Sequence, residues 1–232
     1  EVPRRALHRH LPGTADGLPW RIDQRKSYDF RVESHVDGDL LATDGAPSLD
    51  QAFEGQLHLR VLALSEEVEV ELAFQPARLK LGESVDPASN RLLETPFHAS
   101  FELDGRPRSF RFSPEVPSAY RALLEELIRT VQVIVPVNRG ATWGARERHA
   151  TGVYDASYGD RGADGLTKRK LGYRPPEGGR GAENACRVAE SLAKVTLDKE
   201  SSWFDTLELD EIIELSVDGA GTFRCRTRAS VR

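Results

Sequence analysis

The sequence predicts a mainly β fold: a large antiparallel β-barrel of about ten or more strands wrapped around one central amphipathic helix. Two observations lead to this fold class. Segments in which apolar and polar residues alternate recur along the chain, and this period of two is typical of half-buried strands. Only the segment 118–135 repeats its apolar residues at a clear helical spacing. A single helix among so many strands favours a sheet that closes around it.

The first predicted strands share a simple pattern of inward apolar and outward polar side chains. The stretch "KSYDFRVESHV" begins at residue 26, and "GDLLATDGAPS" follows it as a loop. Two further strands follow in "EGQLHLRVLAL" and "EEVEVELAFQPARLKL". The residues predicted to face inward are Tyr28, Phe30, Val32, Leu57, Leu59, Val61, Val68, Val70, Leu72 and Phe74.

The stretch "TPFHASFELDGRPRSFRFSP" predicts a hairpin in which Asp104-Gly105 turns the chain. One arm carries Phe97, Phe101 and Leu103 on one face, and the other carries Phe110 and Phe112.

The segment 118–135 then predicts the helix. Pro117 and Ser118 suit its start and Pro136 its end. Its apolar stripe, which includes Leu124 and Ile128, is broad enough to be largely enclosed by the sheet.

The second half of the chain returns to strands with "WGARERHATGVYDASYGD", residues 143–160, and "GLTKRKLGYR". Tyr154, Ala156 and Tyr158 share one face at period two, which predicts aromatics facing a core or a cavity. The stretch "PPEGGRGAEN" predicts a loop, and "CRVAESLAKVTL" fits either a helix or a strand. A last hairpin turns at "DGAG", with Leu209, Ile213, Leu215 and Val217 opposite Phe223, Cys225 and Ala229.

Length and composition fit one large domain over residues 26–232, preceded by a surface segment or linker over residues 1–25. The net charge of −5 argues against nucleic acid as the main partner. No apolar run is long enough for a transmembrane helix. Because the chain contains no Met and begins at Glu1, we expect a processed chain or a trimmed domain.

Few residues suggest chemistry. His149 and Asp155 could ligate a metal, but two polar residues on an exposed strand face explain them better, so we expect no metal, no cofactor and no catalytic residue. The basic run Lys168, Arg169 and Lys170 is expected on a solvated face, where it could bind an acidic partner or lipid headgroups. Cys186 and Cys225 could form one disulfide or remain two buried thiols.

The order of these features resembles one protein family. A strand at "KSYDFRVES" precedes a "PF" hairpin, an acidic-Pro turn and the amphipathic helix; Glu147, Gly152 and Tyr158 then follow as E-x4-G-x5-Y before "LTKRKL". This order is similar to the N-terminal barrel of the large lipid transfer proteins: vitellogenin, apolipoprotein B and the microsomal triglyceride transfer protein. The resemblance covers roughly residues 26 to 230.

The resemblance implies a non-enzymatic, extracytoplasmic module of a lipid carrier, in which lipid binds to the whole protein and the barrel contacts other proteins or downstream domains. The alternative is a barrel that only docks other proteins. The implied lipid- or core-facing residues are Phe97, Phe101, Phe110, Phe112, Leu124, Ile128, Tyr154 and Tyr158. The family usually has a disulfide between a Cys just after the Gly and one soon after the K-x-K segment, where this chain has Val153 and "GYR".

Overall fold

The computed structural model describes residues 20–38, 49–82, 84–85, 87–136, 140–162, 165–175, 184–197, 203–217 and 221–232. These ranges contain twelve strands and two helices. The N-terminal elements are β1 (Arg25–Gly38), β2 (Leu49–Leu64), β3 (Glu67–Leu81), β4 (Ser84–Val85), α1 (Pro87–Leu93), β5 (Phe97–Glu102), β6 (Pro107–Arg111) and α2 (Ser118–Thr130). The C-terminal elements are β7 (Thr142–His149), β8 (Gly152–Asp160), β9 (Gly165–Tyr173), β10 (Asn184–Leu197), β11 (Phe204–Val217) and β12 (Gly221–Val231).

All twelve strands belong to one antiparallel sheet with the order β6-β5-β3-β2-β1-β12-β11-β10-β9-β8-β7, and β4 pairs with β3. We call β1–β6 the N-terminal half-sheet and β7–β12 the C-terminal half-sheet. They join where β1 pairs with β12, from Phe30 opposite Val231 to Gly38 opposite Phe223. The mainly β prediction is therefore confirmed.

The alternation read from the sequence matches the inward faces of the N-terminal half-sheet. All ten residues predicted to face inward on β1, β2 and β3 are buried. The rings of Phe30, Phe53 and Phe74 pack edge to face, with centroids 4.9 to 6.1 Å apart. The predicted last hairpin is also correct in register, since Leu209 lies opposite Ala229 and Ile213 opposite Cys225.

The helix α2 is shorter than predicted, because it ends at Thr130 rather than at residue 135. Leu124, Leu127 and Ile128 are buried in the core, and Leu123 is half-buried. Residues 131–135 stay buried but leave the helix, because they make hydrogen bonds to strands and turns instead. In the part of the chain that the structure describes, no helix is long and apolar enough to cross a bilayer.

The two ends of the sheet, β6 and β7, do not pair with each other among the described residues. The predicted barrel is therefore not closed by backbone pairing. Four hydrogen bonds instead connect residues 131–135, the β5–β6 turn and strand β7. We call the region between β6 and β7 that they span the seam. The four bonds are Arg106 Nη1 to Arg146 O (2.8 Å), Gln132 Nε2 to Arg148 O (2.9 Å), Trp143 Nε1 to Ile134 O (2.9 Å) and Val135 N to Asp104 O (2.8 Å).

Four further differences from the sequence predictions concern local structure. The helix α1 was not predicted, and the ambiguous stretch at 186–197 is part of strand β10. Leu103, predicted on the first arm of the hairpin, lies just after the end of β5 and is exposed. Trp20, assigned to the N-terminal segment, is buried beside Phe101. The rest of that segment, 1–19, and most of the three predicted loops, 39–48, 176–183 and 218–220, lie outside the described residues.

Candidate functional site: a buried charge network

Strands β7, β8 and β9 bring the predicted E-x4-G-x5-Y pattern and the basic run together inside the sheet. Glu147 on β7 lies opposite Tyr154 on β8, and Tyr158 on β8 lies opposite Lys168 on β9. Since alternate side chains of a strand share a face, these residues all point to the same side. That side is the interior, because all four are buried.

The Glu147 carboxylate is the centre of this network. It accepts hydrogen bonds from the hydroxyls of Tyr154 and Tyr158, both at 2.5 Å, and it pairs with the Lys168 ammonium at 2.5 Å. Lys168 also donates to the backbone oxygen of Gln132 at 2.8 Å. Charge-assisted hydrogen bonds of this kind offset the large cost of burying two charges.

The network also fixes the chain that follows α2. The Gln132 side chain donates to the Tyr154 hydroxyl at 3.1 Å, and the backbone N–H of Ile134 donates to the Tyr158 hydroxyl at 3.1 Å. Trp143 stacks flat on Tyr158, with ring centroids 5.1 Å apart. These bonds explain why the helix ends before residue 132: its next backbone groups are used by the network.

A second buried pair lies beside the first. Lys170 on β9 contacts Glu211 on β11 at 3.1 Å, and both side chains are almost completely inaccessible to solvent. Lys170 also donates to the Tyr173 hydroxyl at 3.2 Å and lies 4.3 Å from the centre of the Tyr154 ring. Cation–π contact and hydrogen bonding together surround the ammonium, so its charge is compensated although it is buried.

Burial sets the protonation of this region. It raises the pKa of Tyr154 and of Tyr158 well above the usual tyrosine value, and the negative charge of Glu147 raises both pKa values further. Burial also lowers the pKa of Lys168, while the attraction of Glu147 opposes that shift. The tyrosines therefore remain protonated at neutral pH and act as hydrogen-bond donors to Glu147.

This arrangement corrects the prediction for the basic run. Lys168 and Lys170 are buried partners of glutamates, and only Arg169 is exposed. The prediction was wrong because it relied on the usual exposure of Lys to solvent. In this strand every second side chain points to the interior, and Lys168 and Lys170 both occupy such positions. Glu211 was missed for the same reason, although its position between Leu209 and Ile213 at period two places it on the inward face.

The predicted aromatic and helical residues are mostly packed in the core. Phe97, Phe101, Leu124, Ile128, Tyr154 and Tyr158 are buried, and Phe110 and Phe112 are half-buried against the same core. Two surface grooves, of about 500 and 750 Å³, lie elsewhere, on the outward side of the sheet. Charged side chains such as Arg31, Glu33 and Arg228 line them.

The two cysteines are free. Cys186 on β10 lies opposite Leu215, and Cys225 on β12 lies opposite Ile213, so the whole of β11 separates them. Two strand spacings amount to about 9–10 Å, more than the roughly 7 Å that a disulfide allows between Cα atoms. The disulfide alternative is therefore wrong for this structure, and both thiols are half-buried rather than fully buried.

Neither metal-ligand candidate belongs to a ligand cluster. His149 pairs with Glu126 of α2, and Asp155 accepts hydrogen bonds from Arg174 at 2.9 Å. Over the ranges that the structure describes, no group of three or more potential ligands could hold a metal ion.

The positions of the family's usual disulfide are neighbours in this structure. The backbone N–H of Arg174 donates to the oxygen of Val153 at 2.8 Å, across the β8–β9 ladder. The places where the family has its bridged cysteines thus lie side by side, although this chain has Val153 and the "GYR" segment there.

Comparison with known proteins gives one informative likeness. No family model matches the sequence, and no curated protein matches it. Among solved structures, the chain is similar to lipovitellin, in a structure that describes lipid–protein interactions, with a TM-score of 0.62 and 12% sequence identity. The likeness covers 91% of this chain and 25% of the lipovitellin chain. The chain therefore shares the fold of part of lipovitellin, and this likeness of fold agrees with the resemblance of its sequence to the large lipid transfer proteins.

Proposed function

We propose that this chain is a non-catalytic module of an extracytoplasmic lipid carrier, with residues 26–232 forming its N-terminal barrel. The single observation that carries the proposal is the likeness to lipovitellin over 91% of the chain. Since the chain spans only a quarter of the lipovitellin chain, lipid transport is proposed for a larger protein in which this module takes part.

We also infer that the sheet wraps around α2. Leu124, Leu127 and Ile128 belong to one core cluster that contains residues of both half-sheets, such as Phe74 and Leu207. A helix that packs against both halves of one curved sheet holds them together, as a central helix in a barrel would.

We infer that the module itself leaves little room for cargo. Its inward aromatics pack on one another, and its inward charges are paired with each other. A lipid site inside would need several hundred Å³ of open apolar space. We therefore place lipid contact on the outward face or the rim of the sheet, and we expect the module to need no cofactor.

The filled interior also favours the second candidate, a barrel that only docks other proteins. The two proposals differ in whether lipid accompanies the native protein. Lipid extraction and mass spectrometry should be carried out on the full-length gene product and on the 232-residue chain in parallel. We expect lipid in the full-length product and little or none in the shorter chain.

Lipid absent from both samples would favour the docking barrel over the lipid carrier. Near-stoichiometric lipid in the 232-residue chain would contradict the filled interior, and bulky substitutions at Ala156 on the inward face should then displace it. Purification of a stable protein complex without lipid would identify docking as the main activity.

A further inference from the structure

The outward face of β7, β8 and β9 carries arginines that project away from the buried network. Because Glu147 points inward, its neighbours Arg146 and Arg148 point outward, and Arg169 points outward between Lys168 and Lys170. All three arginines are exposed. The burial of the charge network therefore produces, on the opposite side of the same strands, a basic surface that we call the arginine face.

Arginines outnumber acids on the arginine face, although Asp155 lies directly opposite Arg146 in the ladder. Its one carboxylate among the described outward residues of β7–β9 is Asp155, which is bound by Arg174. None of Arg146, Arg148 and Arg169 forms an ion pair with any described residue. The face thus has a net positive charge, although the whole chain has a net charge of −5.

The arginines of β12 behave differently. Arg226 and Arg228 both pair with Asp210, and Arg232 pairs with Glu208. These three arginines are therefore balanced by acids of the adjacent strand β11. The unpaired arginines that share one side of β7–β9 instead make the arginine face a surface suited to an external negative charge.

One apolar side chain projects from the arginine face. The small residues Gly144 and Ser157 lie in one row of the ladder with Arg169. Leu171 sits at an irregularity between β8 and β9 and is 61% exposed. A protein partner usually requires a cluster of apolar or aromatic anchors, whereas a membrane surface requires basic residues and a shallow apolar insertion.

We propose that the arginine face binds the surface of an anionic lipid layer. Arg146, Arg148 and Arg169 contact the acidic headgroups, and Leu171 enters the boundary between headgroups and acyl chains. The proposal rests on the lipid-carrier function and specifies where the module would meet lipid. Each arginine should strengthen binding about 5-fold, so the three together contribute about 100-fold at moderate ionic strength.

The test is co-sedimentation of the 232-residue chain with phosphatidylcholine vesicles, with and without phosphatidylserine, at low and high salt. We expect binding only to the vesicles that contain phosphatidylserine, weakened by salt. The triple variant Arg146→Gln/Arg148→Gln/Arg169→Gln should lose about 100-fold in affinity. Leu171→Ser should lose binding to a smaller extent, and circular dichroism should show that both variants remain folded.

The matched control is Arg226→Gln/Arg228→Gln/Arg232→Gln, which removes the same charge from β12 and the residue that follows it. Unchanged binding of this control supports the arginine face, and an equal loss overturns it. Absence of binding to anionic vesicles at low salt also overturns the proposal. Tighter, arginine-dependent binding to polyglutamate than to vesicles would assign the face to an acidic protein instead.

These outcomes are separate from the test of the lipid carrier itself. That test depends on lipid bound to the full-length product, whereas vesicle binding depends on the arginine face of this chain alone.

Discussion

The two half-sheets build their interiors from different chemistry. The inward side of β1, β2 and β3 is apolar, and the rings of Phe30, Phe53 and Phe74 pack at its centre. The C-terminal half-sheet instead buries two complete ion pairs, Glu147 with Lys168 and Lys170 with Glu211. Both halves follow the same alternation of side chains, so the difference lies only in which residues occupy the inward positions.

The comparison shows that an apolar interior and an interior with buried ion pairs differ in how strictly they depend on atomic positions. Apolar packing tolerates small displacements, because dispersion and the hydrophobic effect have little directional preference. A buried ion pair requires each donor to meet its acceptor, since one missing partner leaves an uncompensated charge. The C-terminal half-sheet should therefore be the more sensitive to single conservative substitutions.

The largest expected effect is at the centre of the network. Glu147→Gln removes a charge without changing volume and leaves the Lys168 ammonium buried and unpaired. We expect a loss of about 4 kcal/mol in the free energy of unfolding, measured by denaturant titration. The double variant Glu147→Gln/Lys168→Met should be more stable than Glu147→Gln alone, because no unpaired charge remains.

The control for this prediction is Glu208→Gln, which breaks an exposed pair with Arg232. An exposed pair contributes only about 0–1 kcal/mol, so this variant should remain close to the parent. Equal losses at Glu147 and Glu208, or a double variant weaker than the single one, would show that the buried pair has no special importance.

The next effect tests the apolar packing of α2. Leu127→Ala creates a cavity at a buried position and should cost about 3 kcal/mol. Leu123→Ala, at a half-buried position on the same helix, should cost less. Thermal melts of both variants would check this, and an unchanged melt for Leu127→Ala would exclude an enclosed helix.

A gain in stability is expected where β8 and β9 meet. Because Val153 and Arg174 are adjacent across the ladder, the double variant Val153→Cys/Arg174→Cys should form a disulfide. It should stabilise the oxidised protein by about 1–3 kcal/mol, since it closes a loop in the unfolded chain. Melting with and without reductant measures the gain; a free-thiol assay that still detects both introduced cysteines would contradict the predicted register.

The smallest effect is a change in pH dependence. The unfolded chain releases a tyrosine proton above about pH 10, whereas buried Tyr158 keeps its proton because its pKa is raised. Its stabilising contribution is complete below pH 10 and is lost as the pH rises further. The lowered pKa of Lys168 has the opposite effect: it makes the free energy of unfolding rise with pH. This rise ends above the usual lysine pKa of 10.5, where Lys168 is deprotonated in both the folded and the unfolded chain.

Above about pH 11, the parent should therefore lose about 1.4 kcal/mol per pH unit more than Tyr158→Phe does. Denaturant titrations at several alkaline pH values would measure this slope. Parallel curves for the two proteins would mean that Tyr158 ionises equally easily in the folded and unfolded chains.

Much of the fold could be predicted from sequence, since alternation alone identifies the inward faces. Phe30, Val70 and Leu209 were assigned correctly because an apolar residue at period two has only one favourable side. The charged residues of the network were not predicted to face inward. Hydropathy assigns Lys168 to solvent, whichever face of the strand its position gives it.

The helix end and the network partners could not be predicted locally. The apolar stripe continues through Val131 and Ile134, so periodicity alone extends the helix to residue 135. Its end at Thr130 depends on Tyr154 and Tyr158, which lie far along the chain and accept hydrogen bonds from the residues after it. Long-range register decides these contacts, and local sequence does not encode it.

The junction between β1 and β12 has a consequence for how the protein is made. Within each half-sheet, neighbouring strands are mostly consecutive in the chain, so their pairing depends on contacts between residues that are close in sequence. The junction instead pairs Phe30 with Val231, which are about 200 residues apart in the sequence. During synthesis, β1 leaves the ribosome long before β12 and keeps one unpaired edge until β12 emerges, so this edge is exposed to aggregation for most of the synthesis of the domain.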